Sequence, residues 1–405
     1  MDPVPVVELI PPTRVLRQLS VQAVMNVLLR EGGASRAGLA RQTGLSKQTM
    51  SEVMRLLSER GWVRESGKIT GGVGRTAVRY EVDAEAGYVL GVDLGASTIR
   101  ASIANIAGAI VREGEVASDP RGGAHLVEQI GTLKRSLLEE AGVPVARLLQ
   151  ATVALPGVVD PATGRLSLAP NLDDMGPMNV VSSIAQVLDC KVTFENDVNA
   201  GAIGEFWETP QSQDEHFAFV SIGTGVGLGI IVEGKLLRGA AQAAGEVGYL
   251  PLGADPFSPL NVERGALESV LGAAGIAQRY HLAGGAVGTS VREIFARYTA
   301  GERAAIVTIE ESARLAALLV ATVTAVVDPA KVVIGGNIGG RQELVDLIRK
   351  VLPSCTRRPV AVQCGLLGAR ATVVGAAAIA LGELQNSLFG TKELPNKRDV
   401  PAPRR

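Results

Sequence analysis

Lys47, Gln48, Ser51, Glu52 and Arg55 fall where one face of a helix presents them together. Such a face suits a DNA major groove: Gln48 can pair with an adenine edge, Lys47 or Arg55 with guanine or phosphate, and Glu52 with cytosine N4. Thr49, near the amino end, reaches a thymine methyl or a phosphate, and Ser46 stands just ahead of it. Lys68, Arg75 and Arg79 follow around a glycine-rich loop, Gly71-Gly72-Val73-Gly74-Arg75, from which they can touch phosphates or a minor groove. The solvated face of any amphipathic helix carries similar residues, so the surrounding elements must decide. A second chemistry is spread over three apolar runs that end in glycine: Asp93-Leu94-Gly95 with Thr98 beyond it, Gly223-Thr224-Gly225-Val226-Gly227, and Gly335-Gly336-Asn337. Small turn residues leave backbone amides open to an anion, and glycine lets a phosphate come close.

The elements that must position the basic face are legible. Val21, Val24, Leu28 and Leu29 recur at near-helical spacing, and Glu31-Gly32-Gly33 stops that helix. Ser35 is placed to cap a short helix over Arg36 to Thr43, Gly44 makes the turn, and Ser46 is placed to cap a third helix from Lys47 to about Arg60. On the third helix Met50, Val53, Met54 and Leu57 form an apolar stripe, which leaves the basic face outward. Strands over Trp62 to Glu65 and Ala77 to Val82 flank the glycine-rich loop, which makes the arrangement a winged helix-turn-helix over residues 14–82. Beyond a link at Asp83 to Gly87, the strand Tyr88 to Leu94 and its return through Ile103 read as a hairpin. Phe217 to Val220 and Val332 to Ile334 are further strands, and Ile306 to Val327 is a long helix closed by Asp328-Pro329.

With 405 residues the chain exceeds one core and should fold as at least two domains. Hydrophobic residues at 46% and charged residues at 20% describe a packed globular protein and exclude a disordered or fibrous one. The longest uncharged apolar run, Leu315 to Val327, is too short for a bilayer, which needs roughly 20 residues. No secretory signal is visible, so the cytoplasm is the expected compartment and no membrane partner is expected. Cys190, Cys355 and Cys364 are odd in number and never C-x-x-C spaced, so neither a disulfide framework nor a cysteine metal site can be read from them. The net charge of -1 hides a division. Residues 1–82 hold twelve Lys and Arg against seven Asp and Glu, or +5, while residues 83–405 hold twenty-eight against thirty-four, or -6. A basic head on an acidic body implies that the head meets a polyanion. Residues 1–13 and 391–405, rich in proline, are expected to be mobile tails.

Taken with Leu155-Pro156-Gly157-Val158-Val159-Asp160, Ala169-Pro170-Asn171-Leu172 and Glu195-Asn196-Asp197-Val198-Asn199-Ala200, the glycine loops resemble the ROK group of transcriptional repressors and sugar kinases. The resemblance covers nearly the whole chain, the winged head included. It implies an α/β fold: an N-terminal winged helix-turn-helix, then a two-lobed actin-like ATPase (ribonuclease H-like) body over about residues 87–385. It makes Asp93, Gly95, Thr98, Gly223, Thr224 and Gly225 phosphate-loop residues and Gly335 and Gly336 part of an adenosine-side loop. Asn171, Asn196, Asp197, Glu246 and Glu268 match sugar-binding positions, and Asp197 matches the base that deprotonates the attacking hydroxyl in the kinases. Alternating amides and carboxylates suit a polyol, although Asn196-Asp197 also suits the start of a helix.

Two departures stand out. The resemblance implies a His after Glu-x-Gly and three downstream cysteines that hold zinc, but here Tyr249 stands in the histidine's place and Asp255 to Gly265 contains no cysteine. A zinc site of that kind needs imidazole and thiolate, so zinc is not expected, and no other cofactor is. Ala96 stands where the kinases carry glycine; if that backbone is left-handed, the alanine is strained by roughly 1 to 2 kcal/mol. The resulting expectation is a DNA-binding regulator controlled by a carbohydrate, acting on a double-stranded operator as a homodimer or dimer of dimers. The alternatives are a sugar kinase using ATP and Mg, with Asp197 as base, and a regulator that has lost its ligand and responds to a protein partner.

Overall fold

A computed structural model of the protein describes residues 12–70, 76–159, 166–167, 180–209 and 216–389. The head begins with α1 (Pro12–Glu31) and a two-residue strand β1 (Ala34–Ser35), followed by α2 (Arg36–Thr43) and α3 (Lys47–Glu59). Both short helices start where a serine satisfies an orphan amide: the Ser35 hydroxyl accepts from Gly38 N–H and the Ser46 hydroxyl from Thr49 N–H. Gly44, with φ of 71°, makes the left-handed turn between them. Met50, Val53, Met54 and Leu57 are all buried, packed with Val24, Met25 and Leu28 of α1. The wing strands β2 (Val63–Thr70) and β3 (Thr76–Val82) pair antiparallel, and β1 adds to the outer side of β3, giving the order β1-β3-β2. Residues 71–75, Arg75 among them, lie outside the described residues.

The body is two lobes, each a five-stranded sheet with helices on it. The first contains β4 (Tyr88–Leu94), β5 (Thr98–Asn105), β6 (Ile110–Ala117), α4 (Gly123–Glu140), β7 (Leu148–Leu155), the short pair β8 (Val158–Val159) and β9 (Leu166–Ser167), α5 (Val180–Leu188) and β10 (Lys191–Asn196). Its sheet order is β10-β7-β4-β5-β6, with β4 to β6 antiparallel and β4, β7 and β10 parallel. After α6 (Asp197–Glu208) comes the second lobe: β11 (Phe217–Ile222), β12 (Val226–Val232), β13 (Lys235–Leu236), α7 (Pro259–Arg264), α8 (Ala266–Leu271), α9 (Ala273–Leu282), α10 (Val291–Thr299), α11 (Arg303–Val327), β14 (Lys331–Gly335), α12 (Gly336–Gly339), α13 (Gln342–Val351) and β15 (Ala361–Cys364). Its sheet runs β13-β12-β11-β14-β15. The chain then returns to the first lobe as α14 (Ala371–Phe389).

Two helices join the lobes. α14 lies on β4, β5 and β7 of the first sheet, α6 lies on β11 and β12 of the second, and the two helices pack on each other. Their backbones nearly touch: a Cβ on Gly375 would collide with the Ala200 carbonyl oxygen, and one on Gly204 with that of Ala371. Only small residues permit so close a crossing, which is why α14 reads as a run of alanine, glycine and valine. At the end of α6 the buried Glu205 carboxylate accepts hydrogen bonds from the Leu366 and Leu367 amides at 2.8 and 2.9 Å, holding the loop that leads into α14.

The expected link at Asp83 to Gly87 is a structured turn. Asp83 caps a single 3-10 turn over Ala84–Ala86, and Asp83 N–H donates to the Trp62 carbonyl at 3.0 Å. The long helix expected from Ile306 starts three residues earlier, at Arg303, and ends on left-handed Asp328. Ala96 is not among the residues with positive φ, so the strain considered for a left-handed alanine there does not arise.

Candidate functional site

The cleft between the lobes is built by strand ends and helix starts. Asp93 ends its strand beside α14, buried, with Arg100 as its register partner on β5 and Glu115 as the partner of Arg100 on β6. The three charges therefore line up across the sheet: Arg100 Nη1 is 3.7 Å from Asp93 and its Nε is 3.0 Å from Glu115. Gly95 N–H donates to the Thr98 carbonyl at 3.2 Å, closing the first loop. In the second loop Gly223 N–H donates to the Gly225 carbonyl, and Ala273, at the start of α9, donates to the carbonyls of Gly223 and Thr224. Gly335 ends β14, and Gly336 has φ of 83° with Ile222 packed so close that a side chain would not fit. The second and third loops thus adjoin.

Asn196 and Asp197 sit where β10 turns into α6. The Asn196 side chain accepts from the Val198 and Asn199 amides at 3.0 Å and donates to the Gly157 carbonyl at 3.1 Å. The helix-start reading is therefore realised. Asp197 is half-buried and accepts from Val198 N–H at 2.8 Å, while its own carbonyl accepts from the Thr372 hydroxyl at 3.2 Å. Burial, reinforced by the Asp93 carboxylate and, less, by Glu246, pushes Asp197 up to about 7 against the pull of the Val198 amide. Burial likewise pushes Asp93 up to about 6, Arg100 opposing it. Glu246 is raised by burial and by Glu268, and Glu268 by burial although it accepts from Val226 N–H at 3.0 Å. Asp93, Asp197, Glu246 and Glu268 are thus a chain of carboxylates within electrostatic reach of one another. Asn171 lies outside the described residues.

Tyr249 is exposed at the edge of this chain, and its hydroxyl donates to the Glu263 carbonyl at 3.1 Å. Burial first, then Glu246, Glu268 and Glu263, holds its phenol above the ordinary range. The segment that follows is pinned by its own polar groups: Asp255 accepts from Phe257 N–H at 3.0 Å, and Asn261 donates to the Asp255 carbonyl at 2.8 Å. These are carboxylate, amide and phenol groups without imidazole or thiolate, so the donor set does not fit a zinc site of the cysteine and histidine kind. Among the described residues no group of three or more His, Cys, Asp and Glu is arranged to hold a metal ion.

Sequence patterns missed two side chains. Glu195, buried, accepts from Asn196 N–H and the Asn199 side chain through one oxygen and pairs with Arg238 through the other, at 2.8 Å. That pair bridges a strand of the first sheet to the loop after β13 of the second. Arg100 was equally silent, since only strand register sets it beside Asp93.

On the head, Ser46, Lys47, Gln48, Ser51 and Arg55 are exposed and Thr49 is half-exposed, its hydroxyl 2.9 Å from that of Ser46. Arg55 is paired with Glu59 at 2.8 Å, an exposed contact that costs little to break. Lys68 is exposed on β2. Arg79 departs from expectation: it is half-buried, packed over Gly33, with its guanidinium 3.3 Å from the Gly32 carbonyl. It braces the end of α1 instead of facing out, because β1 adds to β3 and covers that side of the wing.

Comparison with known proteins decides the family, since the ROK family pattern matches residues 89–383. The chain belongs to the ROK family. It is similar to the xylose repressor of Caldicellulosiruptor bescii, 30% identical over 236 residues, which are 58% of this chain and 59% of that protein. It thus spans about three fifths of the length of that repressor. It is also similar to the N-acetylmannosamine kinase of Escherichia coli O7:K1, 28% identical over 301 residues, 73% of this chain and 98% of the kinase. A crystal structure described as a ROK family transcriptional regulator, a homolog of the E. coli MLC protein, superimposes with a TM-score of 0.72 over 95% of this chain and 99% of that one. At 20% identity that likeness establishes the fold alone. Among the described residues of this ROK chain, no helix is long and apolar enough to cross a membrane.

Proposed function

We propose that this ROK protein is a DNA-binding transcriptional regulator whose operator affinity is set by a carbohydrate held between the lobes. The observation that carries the reading is an exposed polar face on α3, Lys47, Gln48 and Ser51 included, mounted on a winged head that is joined to a sugar-kinase-like body. A stand-alone kinase has no use for such a head. In this reading residues 14–82 grip DNA, with Arg75 and Lys68 on phosphates, and residues 87–385 hold the effector and the subunit contacts. Asn171, Asn196, Asp197, Glu246 and Glu268, with Tyr249 at the rim, supply the donors and acceptors that a polyol needs. The similarity to a protein named xylose repressor makes a pentose the first effector to try and repression the first effect to look for. The protein acts in the cytoplasm as a symmetric dimer or dimer of dimers, matched to paired half-sites.

A kinase reading is favoured by one feature: Asp197 stands beside Asp93 with a proton affinity raised toward neutrality, which suits a base acting on a sugar hydroxyl. Genome-wide mapping of bound DNA followed by titration separates the two. The regulator binds its mapped site with affinity that falls as salt rises, and a sugar changes that affinity. Gln48→Ala should cost about 1 to 3 kcal/mol at particular base pairs, whereas Lys68→Ala should weaken all sequences alike and reduce the salt slope by about 1. Sugar-dependent ATP consumption that Asp197→Asn abolishes, without any mapped site, would make the protein a kinase.

A further inference from the structure

The head and the turn that follows it are held against the body by several contacts. Trp62 meets Phe389, the last residue of α14, edge to face with ring centroids 6.0 Å apart and planes at 86°. Phe389 is 2% exposed. The Glu85 carbonyl accepts from the Arg147 guanidinium, and the Gly87 carbonyl accepts from Ile106 N–H at 2.9 Å. Gly87 lies so close to Leu149 and Trp62 that a Cβ would strike Leu149. α1 packs on α14 as well. Residues 106, 147 and 149 belong to the first lobe, and α14 is packed on its sheet.

The other end of α14 reaches the candidate effector groups. Thr372 holds the Asp197 carbonyl, and about one turn further along the helix Gly375 is pressed on α6. Nineteen residues at about 1.5 Å each make α14 about 28 Å long. Tightly packed helices move as units or change between discrete packings; they do not stretch. Carboxylates from both lobes face the cleft, so a ligand bridging them favours one spacing of the lobes, and the head must follow the first.

Resting on the regulator reading above, we infer that the Trp62–Phe389 contact and the turn Asp83–Gly87 fix the winged head to the first lobe, so that α14 is the lever by which an effector redirects the DNA-reading helix. A flexible tether at Asp83–Gly87 would let the lobes move without the head noticing. Phe389 and Trp62 are positioning residues in this device, touching neither sugar nor DNA.

Two variants test it. A Gly-Ser-Gly-Ser insertion between Ala86 and Gly87 loosens the turn and leaves both partner surfaces intact, and Phe389→Ala removes the ring. The chain has two tryptophans, so Trp207→Phe leaves Trp62 as the only indole. Time-resolved anisotropy of Trp62 should then report tumbling of the whole protein alone, and the insertion should add the faster component of an independent head. In operator titrations, a coupling of ordinary size gives a ratio of about 5 to 150 between affinities with and without the sugar. The insertion and Phe389→Ala should keep sugar-induced thermal stabilisation while that ratio falls to within about twofold of one. A fast component in the chain without the insertion, or an unchanged ratio in the inserted chain, overturns the inference. Should the unmodified protein answer to no sugar, the effector reading fails, while the anisotropy still decides whether the head is fixed.

Discussion

Asp197→Asn should make the protein more stable at alkaline pH and leave it unchanged at acid pH. An aspartate held at about 7 in the folded protein, against an ordinary value of 3.8, binds its proton more tightly when folded than when unfolded. Folding is therefore favoured most below about pH 4, loses ground as pH rises from about 4 to about 7, and is flat beyond. At about 1.4 kcal/mol per pH unit, the full cost of ionising Asp197 is about 4 kcal/mol, and water in the half-open cleft reduces it to about 2. Asparagine keeps an oxygen for the Val198 amide and removes the charge, so that cost disappears. For a body of this size, 2 kcal/mol corresponds to roughly 3 °C in melting temperature. The assay is a thermal melt at half-unit steps from pH 4.5 to 8.5 on both proteins. The two curves should lie about 3 °C apart above pH 7 and draw together as the pH falls toward 4. Asp93, pushed up to about 6, leaves a residual slope in both. Parallel curves, or a variant less stable than the parent at pH 8, would refute the assignment of Asp197 as an acid whose ionisation destabilises the fold.

Gly375→Ala should be strongly destabilising, by about 1 to 3 kcal/mol or more, because its methyl meets the Ala200 carbonyl at the crossing of α6 and α14; an unchanged melting temperature would show that the crossing is looser than described. Zinc should be substoichiometric by elemental analysis of the purified protein, and a chelator should leave its melting temperature unchanged, since Tyr249 and the segment Asp255 to Gly265 offer neither imidazole nor thiolate; about one tightly held zinc per chain would refute this.

What the sequence determined is what neighbouring residues decide. Ser35 and Ser46 start helices because a hydroxyl two or three residues ahead of an orphan amide is a local matter, and the stripe of Met50, Val53, Met54 and Leu57 needs only the period of a helix. The three glycine-ended strands and the family they indicate were legible for the same reason, each signature being a short run of chain. Tertiary structure decided what depends on register and on contacts between distant segments. Arg100 faces Asp93 only because β4 and β5 pair in that register, and Glu195 meets Arg238 only because two sheets approach. Arg79 turned inward because a two-residue strand, too short to carry a periodic signal, covers its side of the wing. The turn at Asp83–Gly87 reads from sequence only as a link because nothing in its five residues records that Arg147, Ile106 and Leu149, about twenty to sixty residues away, close around it. Such contacts are fixed by how whole elements pack, and no local pattern encodes them.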